Sequence, residues 1–296
     1  MLRRRSLLLG GLGALVAAAT GGAAVETEVL PGRLALERAL GRCDVDPAVP
    51  TEAPGRVRTG SFASAARRGR TLGWAAALPP GADPRQLPVV LVLPGRGGLA
   101  GEAQALLSLD RHLAHHVAGG GRPLVAVAVD AGETYWHPRR DGDDALRLLT
   151  TELLPAIRAA GLPLREGPVG VLGWSMGGYG ALLLARESAA GRTGGMAVAA
   201  AAAASPALFA SYRSCVPGAF DDEADWRRWG DLVGMPTPGV ALRVECGGTD
   251  AFAEQTRRFL AAARPAPAGG ISRGCHDGAY WSSRLPVQLA FLAAHL

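Results

Sequence analysis

The sequence predicts an α/β fold, with a mostly parallel central sheet and helices on both faces. Three observations predict it. Short continuous apolar runs at residues 88–93, 124–129 and 169–173 read as strands buried on both faces. Stretches of helical periodicity separate them, which is the alternation that parallel strands need for their crossovers. The chain has 296 residues, 48% of them hydrophobic, and carries no internal repeat or low-complexity linker. One large domain with an ample core is the economical reading.

The elements follow in order. Residues 57–65 and 71–78 read as two short strands joined by an Arg-rich turn. Residues 88–93 form a buried strand that Pro94-Gly95 ends. Residues 102–116 carry helical periodicity and stop at Gly119-Gly120-Gly121. Residues 124–129 are the next buried strand. Residues 143–160 read as a helix, with acids in the first turn and apolar side chains at Leu146, Leu149, Leu153 and Ile157. The strand at 169–173 leads into a helix over about 177–188. Residues 196–204 suit another buried strand, although their alanine run would also suit a helix. Residues 206–234 are irregular and too short for a large lid, so an open site is expected. Residues 240–246 form a strand, 250–263 a helix and 269–275 a short strand. A closing helix over 279–296 is interrupted by Pro286.

The N-terminus reads as an address. Arg3, Arg4 and Arg5 precede an apolar run over residues 7–19, and small residues follow to Ala24. The run is too short to cross a hydrocarbon core of about 30 Å, which needs about 20 residues. Arg4-Arg5-Ser6-Leu7-Leu8 also matches a twin-arginine export signal. The expected organisation is a signal over 1–24, a lead-in over 25–54 and a single domain over 55–296, secreted and without a membrane span once the signal is cleaved. The net charge of +5 becomes +2 without the signal's three arginines. All 31 basic residues are Arg, scattered with local pairs such as Arg67-Arg68 that read as solvated surface. No basic stripe with interleaved aromatics occurs, so no nucleic-acid partner is expected.

Export places Cys43, Cys215, Cys246 and Cys275 in an oxidising compartment. Four cysteines allow three pairings. If the strands that end at Cys246 and Cys275 are neighbours, those two can pair and leave Cys43–Cys215 as the second bridge. None of the four has metal-ligand spacing. His112 and His116 stand four apart on a helix without the Glu of a zinc motif, and read as surface histidines.

The chemistry concentrates at Gly173-Trp174-Ser175-Met176-Gly177, a G-x-S-x-G between a buried strand and a helix. A sharp turn there lifts the Ser175 hydroxyl clear of the sheet and sets the Met176 N–H at the positive end of a helix. Only small residues at Gly173 and Gly177 let strand and helix pack around it. A serine nucleophile needs a base, and the base needs an orienting acid, in the order Ser, acid, His. His276 follows a short strand on the same edge, whereas His295 sits at the chain's end in the last helix. Asp250 stands on the loop after its strand, in Gly247-Gly248-Thr249-Asp250, although it could serve only as a helix cap. Asp221, Asp222, Asp225 and Asp277 compete with it.

A second oxyanion donor should come from the loop Pro94-Gly95-Arg96-Gly97-Gly98, where Gly95 lets the backbone turn inward and the Arg96 N–H is the candidate. Gly95-x-Gly97-x-x-Ala100 also matches a dinucleotide fingerprint, but the acid expected about 20 residues on is missing from the right place. The loop Asp130–Pro138 holds Trp136 and His137, which either bound the acyl or alcohol site or merely pack the loop. Trp174 is expected beneath the turn, lining the site with Gly95.

With these residues in place, the chain resembles an α/β-hydrolase of the esterase D and mycolyltransferase type. The resemblance covers roughly residues 55–296. It rests on Pro94-Gly95-Arg96-Gly97-Gly98, on Gly173-Trp174-Ser175-Met176-Gly177-Gly178-Tyr179-Gly180, on the Asp250 loop, and on His276-Asp277 followed by Trp281. It implies acyl transfer from a small-molecule or lipid ester through an acyl-enzyme on Ser175, with no cofactor and no metal. It also places the oxyanion N–H groups on Arg96 and Met176. Many members carry His or Asp where Pro94 stands, and in mycolyltransferases an Asp there contacts the sugar acceptor. S-formylglutathione hydrolases of this group are cytosolic, unlike a chain with an export signal. A secreted esterase is therefore the leading expectation. Transfer of the acyl group to a sugar or lipid alcohol, and a non-catalytic cell-wall or binding protein on the same scaffold, are the alternatives.

Overall fold

Every residue of Val89–Leu93 (β3), Val125–Val129 (β4) and Val169–Trp174 (β5) is buried, as apolar runs covered on both faces must be. The computed structural model describes residues 33–47 and 49–296, and the signal expected over 1–24 lies outside them. The other strands are Arg56–Ser64 (β1), Arg70–Leu78 (β2), Val198–Ala204 (β6), Ala241–Gly247 (β7) and Ala268–Ser272 (β8). They form one sheet in the order β1-β2-β4-β3-β5-β6-β7-β8. β2 runs antiparallel to both β1 and β4, and the remaining pairs are parallel. The alanine run of β6 is a strand because it lies between β5 and β7 and completes both ladders.

Side chains alternate across this sheet. Val90, Val92 and Leu172 face one core with Leu107, Leu113, Leu285 and Leu289. Val89, Leu91 and Leu93 face the other, with Leu149, Ile157, Leu183 and Phe259. The first core is covered by Ala100–Leu107 (α2), Leu109–Ala118 (α3) and Gly278–His295 (α7). The second is covered by a helical stretch over residues 145–159 (α4), Met176–Ala189 (α5) and Ala253–Ala262 (α6). Arg33–Ala39 (α1) precedes the sheet. No described helix is long and apolar enough to cross a membrane.

Several elements depart from expectation for local reasons. The helix expected over 102–116 breaks at Ser108, whose backbone is left-handed at φ 46°. α4 widens into a π-turn at Leu148–Glu152, just before Pro155, which lacks the N–H to close an α-turn onto Thr151. α7 runs through Pro286 without interruption and forgoes one hydrogen bond there. His112 is not at the surface: it is 1% exposed, and neither ring nitrogen has a partner.

The cysteines also pair differently from expectation. Cys43 bridges Cys275, while Cys215 and Cys246 are free. β7 and β8 are indeed neighbours, but Cys246 is in register with Ile271, four residues short of Cys275. Cys246 is therefore left buried inside the sheet, and Cys275 passes beyond it to meet the N-terminal segment.

The parallel register sets the working edge. Leu93 pairs with Gly173, Trp174 with Ala204, Ala204 with Glu245 and Cys246 with Ile271. The C-terminal ends of β3, β5, β7 and β8 thus finish level, and the loops after them meet at one place.

Candidate active site

β5 turns into α5 at Ser175, whose backbone sits at φ 56°, ψ −124°. That region is strained for a side chain with a Cβ, at about 1–3 kcal/mol. The surroundings impose it. A Cβ on Gly173 would lie 2.2 Å from the Gly177 carbonyl oxygen, and one on Gly177 would lie 1.8 Å from that of Leu93. Ser175 is held from both directions: its N–H donates to Ala204, and its carbonyl accepts from Tyr179 and Ala207.

Two further loops complete a hydrogen-bonded chain. The Ser175 hydroxyl lies 3.0 Å from His276 Nε2, and His276 Nδ1 lies 2.9 Å from Asp250 Oδ2. A carboxylate accepts only, so Nδ1–H donates to Asp250 and Nε2 is left free to accept from the hydroxyl. Asp250 Oδ1 accepts the Phe252 N–H at 2.8 Å, so the carboxylate shapes the start of α6 and orients His276 at once. Burial pushes the Asp250 carboxyl up, but the hydrogen bond and charge of His276 and the Phe252 N–H outweigh it and hold the group below the usual carboxylate range. The Phe252 and Trp281 rings stand at 5.3 and 5.2 Å from the His276 ring and confine it.

The acid and histidine loops are zipped together. Gly248 N–H donates to Ser272 and Thr249 N–H to Gly274. A Cβ on Gly247 would lie 2.3 Å from the Gly274 oxygen, which explains the glycine there. The competing acids are committed elsewhere. Asp221 pairs with Arg139, Asp225 with His137, and Asp222 and Asp277 cap helices.

The loop after β3 passes close to Ser175. The Gly97 N–H donates to the Gly132 oxygen, the Gly98 N–H to that of Gly95, and the Ala131 N–H to that of Gly98. Gly95 is so near that a Cβ would touch the Ser175 Cβ and the Trp174 ring at 3.4 Å. Among the described residues, no protein group takes the N–H of Arg96 or of Met176. Two residues that the sequence reading passed over brace this loop. Asp130 accepts from the Ala100 and Gly73 N–H groups. Arg67, read as solvated surface, is buried. It pairs with Asp143 and donates to the Ala131 carbonyl and the Thr134 hydroxyl.

A cleft of about 570 Å³ opens beside Ser175, lined by Gly95, Arg96, Leu106, Trp174 and Trp281 among others. Trp174 and Trp281 form its aromatic wall, with centroids 5.9 Å apart. Trp136 and His137 do not line it. Trp136 packs on α5 where only Gly180 leaves room, since a Cβ there would lie 2.5 Å from its ring. His137 is buried between Phe220 and Trp229 and bonds the Tyr135 carbonyl and Asp225. The loop's aromatics turn inward to the core, so packing, not substrate, explains them. A larger cleft of about 660 Å³ between Arg147, Arg186 and Trp229 includes none of Ser175, Asp250 and His276. Among the described residues, no group of three or more His, Cys, Asp and Glu side chains is placed to hold a metal ion.

A strained serine, a histidine with one nitrogen free to accept, a buried carboxylate and two unoccupied N–H donors can together deprotonate a hydroxyl and stabilise a tetrahedral oxyanion. Comparison with known proteins agrees in fold. A ferulic acid esterase superposes with a TM-score of 0.67 at 22% identity, covering 83% of this chain and 100% of its own. An S-formylglutathione hydrolase from Agrobacterium tumefaciens gives 0.65 at 20% identity, covering 83% and 97%. An α/β hydrolase from the metagenome of Lake Arreo, Spain, gives 0.61 at 20% identity, covering 96% of each chain. The shared fold is that of the α/β hydrolases. No curated protein matches the sequence. The family described as "Putative esterase" matches residues 65–292, most of the chain, and the protein belongs to that esterase family.

Proposed function

We propose that the protein is an exported serine esterase that hydrolyses a carboxylic ester or thioester through an acyl-enzyme. Ser175 Oγ attacks the carbonyl carbon while His276 Nε2 takes its proton. The oxyanion forms against the N–H groups of Arg96 and Met176. His276 then returns the proton to the leaving alcohol or thiol, and the acyl group stays on Ser175. Water, deprotonated by the same nitrogen, releases the acid. Asp250 fixes the tautomer that this sequence requires and stabilises the imidazolium formed in each half.

The observation that carries this reading is the unbroken chain from Ser175 through His276 to Asp250, at 3.0 and 2.9 Å. Export is supported by the arginines and apolar run of residues 1–24, and by the Cys43–Cys275 bridge, which belongs to an oxidising compartment. The cleft beside Ser175 would seat the acyl or the alcohol part of the substrate on Trp174 and Trp281.

A fluorophosphonate probe tests the reading. It should label the wild type and not Ser175→Ala; a wild type that never labels, or labelling that survives the substitution, would sink it. Esters of graded acyl length then define the substrate, and an added alcohol acceptor separates hydrolysis from transfer.

A further inference from the structure

Residues 33–47 precede the stretch that the esterase family matches and contribute no strand to the sheet. They are nevertheless fastened to one place, the loop that carries His276. The Cys43–Cys275 bridge joins them to the residue immediately before it. Arg38 donates to Asp277 Oδ2 at 3.4 Å, on the residue immediately after it. Arg273 donates back to the Gly41 carbonyl and lies 3.8 Å from Asp44. Positions 273, 275 and 277 thus hold the N-terminal segment, and they flank the ring that must stay 3.0 Å from Ser175.

The segment adds to the hold on this loop. Between β8 and α7 it has no regular structure, and Gly274 adopts φ 142°. On its inner side the Thr249 hydroxyl donates to the Gly274 carbonyl and touches Cys275 Sγ. The Tyr280 N–H donates to Asp277 Oδ1, and the N-terminal segment supplies the contacts to positions 273, 275 and 277 given above. Arg38 and Arg273 are largely exposed, and ion pairs in water hold loosely. Both cysteines are buried, and their link is covalent.

We propose that residues 33–47 are a positioning arm for His276, and that turnover depends on closure of the Cys43–Cys275 bridge. The proposal rests on the serine-esterase reading above. Closure is thiol–disulfide exchange with a small disulfide such as oxidised glutathione. One cysteine thiolate attacks the donor and releases one glutathione thiol; the second cysteine thiolate then displaces the other. The two cysteine protons end on the two thiols released. Because Cys215 and Cys246 are unbridged, reduction breaks a single bond.

The test uses the full chain, with 4-nitrophenyl acetate hydrolysis and fluorophosphonate labelling in parallel. In Cys43→Ala, kcat should fall about tenfold while KM changes by less than about twofold, because the cleft is untouched and only His276 is loosened. Reduced wild type should match the variant, and oxidised glutathione should restore the wild type but not Cys43→Ala. Cys215→Ser should behave as wild type. A kcat within about twofold of normal in both Cys43→Ala and the reduced protein overturns the proposal and leaves the esterase reading standing. Should Cys43→Ala lose its near-ultraviolet circular dichroism, wild type titrated with reductant well below its Tm decides. A fall in kcat while the near-ultraviolet signal is intact supports the arm; kcat lost only together with that signal makes the bridge a staple of the fold and overturns it. An oxidised wild type that neither labels nor turns over overturns both readings together.

Discussion

Arg67 and Asp143 meet in the interior behind the loop that follows β3, Nε to Oδ1 at 2.5 Å, with side chains 1% and 0% exposed. Arg67 also donates to the Ala131 carbonyl, and Ala131 and Gly132 are bonded to the Gly97–Gly98 turn. Without Arg67, the buried Asp143 carboxylate keeps only the half-exposed Arg70 guanidinium, 3.5 Å away, as a paired cation. Arg67→Met should therefore destabilise the fold by about 3–5 kcal/mol. Arg68→Met, at a pair 51% exposed on both sides, should change it by less than about 1 kcal/mol. Urea unfolding of the two variants checks the contrast, and equal losses would refute it.

Asp250 holds His276 in the tautomer that leaves Nε2 free to accept. Asparagine keeps the size, but its amide can donate to Nδ1 and so favours the wrong tautomer. Asp250→Asn should lower kcat by about four orders of magnitude. Asp222→Asn, at a helix cap far from His276, should leave kcat near wild type. Steady-state hydrolysis of an activated ester measures both. A wild-type rate in Asp250→Asn would assign the acid elsewhere.

How far the sequence was legible depends on whether the physics was local. The strands β3, β4 and β5 were readable because burial on both faces demands unbroken apolar runs. The turn at Ser175 was readable because the glycines lie two residues either side of the serine between a strand and a helix, although what excludes a Cβ at Gly177 is the distant Leu93 carbonyl. Asp250 and His276 were readable because each directly follows a strand of one parallel edge, and the structure brings both to Ser175. Other features hang on distant packing. Nothing in Arg67-Arg68 tells which arginine points inward. Trp136, on a loop that follows a strand, read equally as bounding the site or packing the loop, and the space above Gly180 set which. The Cys43–Cys275 pairing depends on where residues 33–47 land, and no periodicity reports that.

The inward turn of Trp136 separates packing from recognition. Trp136→Leu should destabilise the protein by about 2–4 kcal/mol and leave KM unchanged, since the ring is 1% exposed and away from the cleft. Leu106 lines the cleft and is 48% exposed, so Leu106→Trp should behave in the opposite way. Its stability should stay within about 0.5 kcal/mol of wild type. Its KM should rise for long acyl esters and not for acetate. Thermal unfolding beside KM across an acyl series tests both, and a Trp136→Leu variant with altered acyl preference would return that side chain to the site.

His112 gives the protein a specific acid sensitivity. Burial pushes its imidazole down from 6.5 to about 4, helped by the charge of His115 and opposed by Asp110 and Glu52. The folded state keeps the ring neutral, whereas the unfolded chain protonates it below pH 6.5. Between pH 6.5 and about 4 the unfolded state therefore binds more protons, and stability falls as the pH falls through that window. Above pH 6.5 this penalty is absent. Since neither ring nitrogen has a partner, leucine at this position forfeits no hydrogen bond. The urea midpoint of His112→Leu should match or exceed that of wild type at pH 7.5, and its lead should widen at pH 4.5, just above the value that burial imposes. Carboxylates such as Asp250 titrate lower still and act on both proteins alike, so the difference between the two curves isolates the histidine. Parallel curves across the window would show that the ring is protonated in the fold.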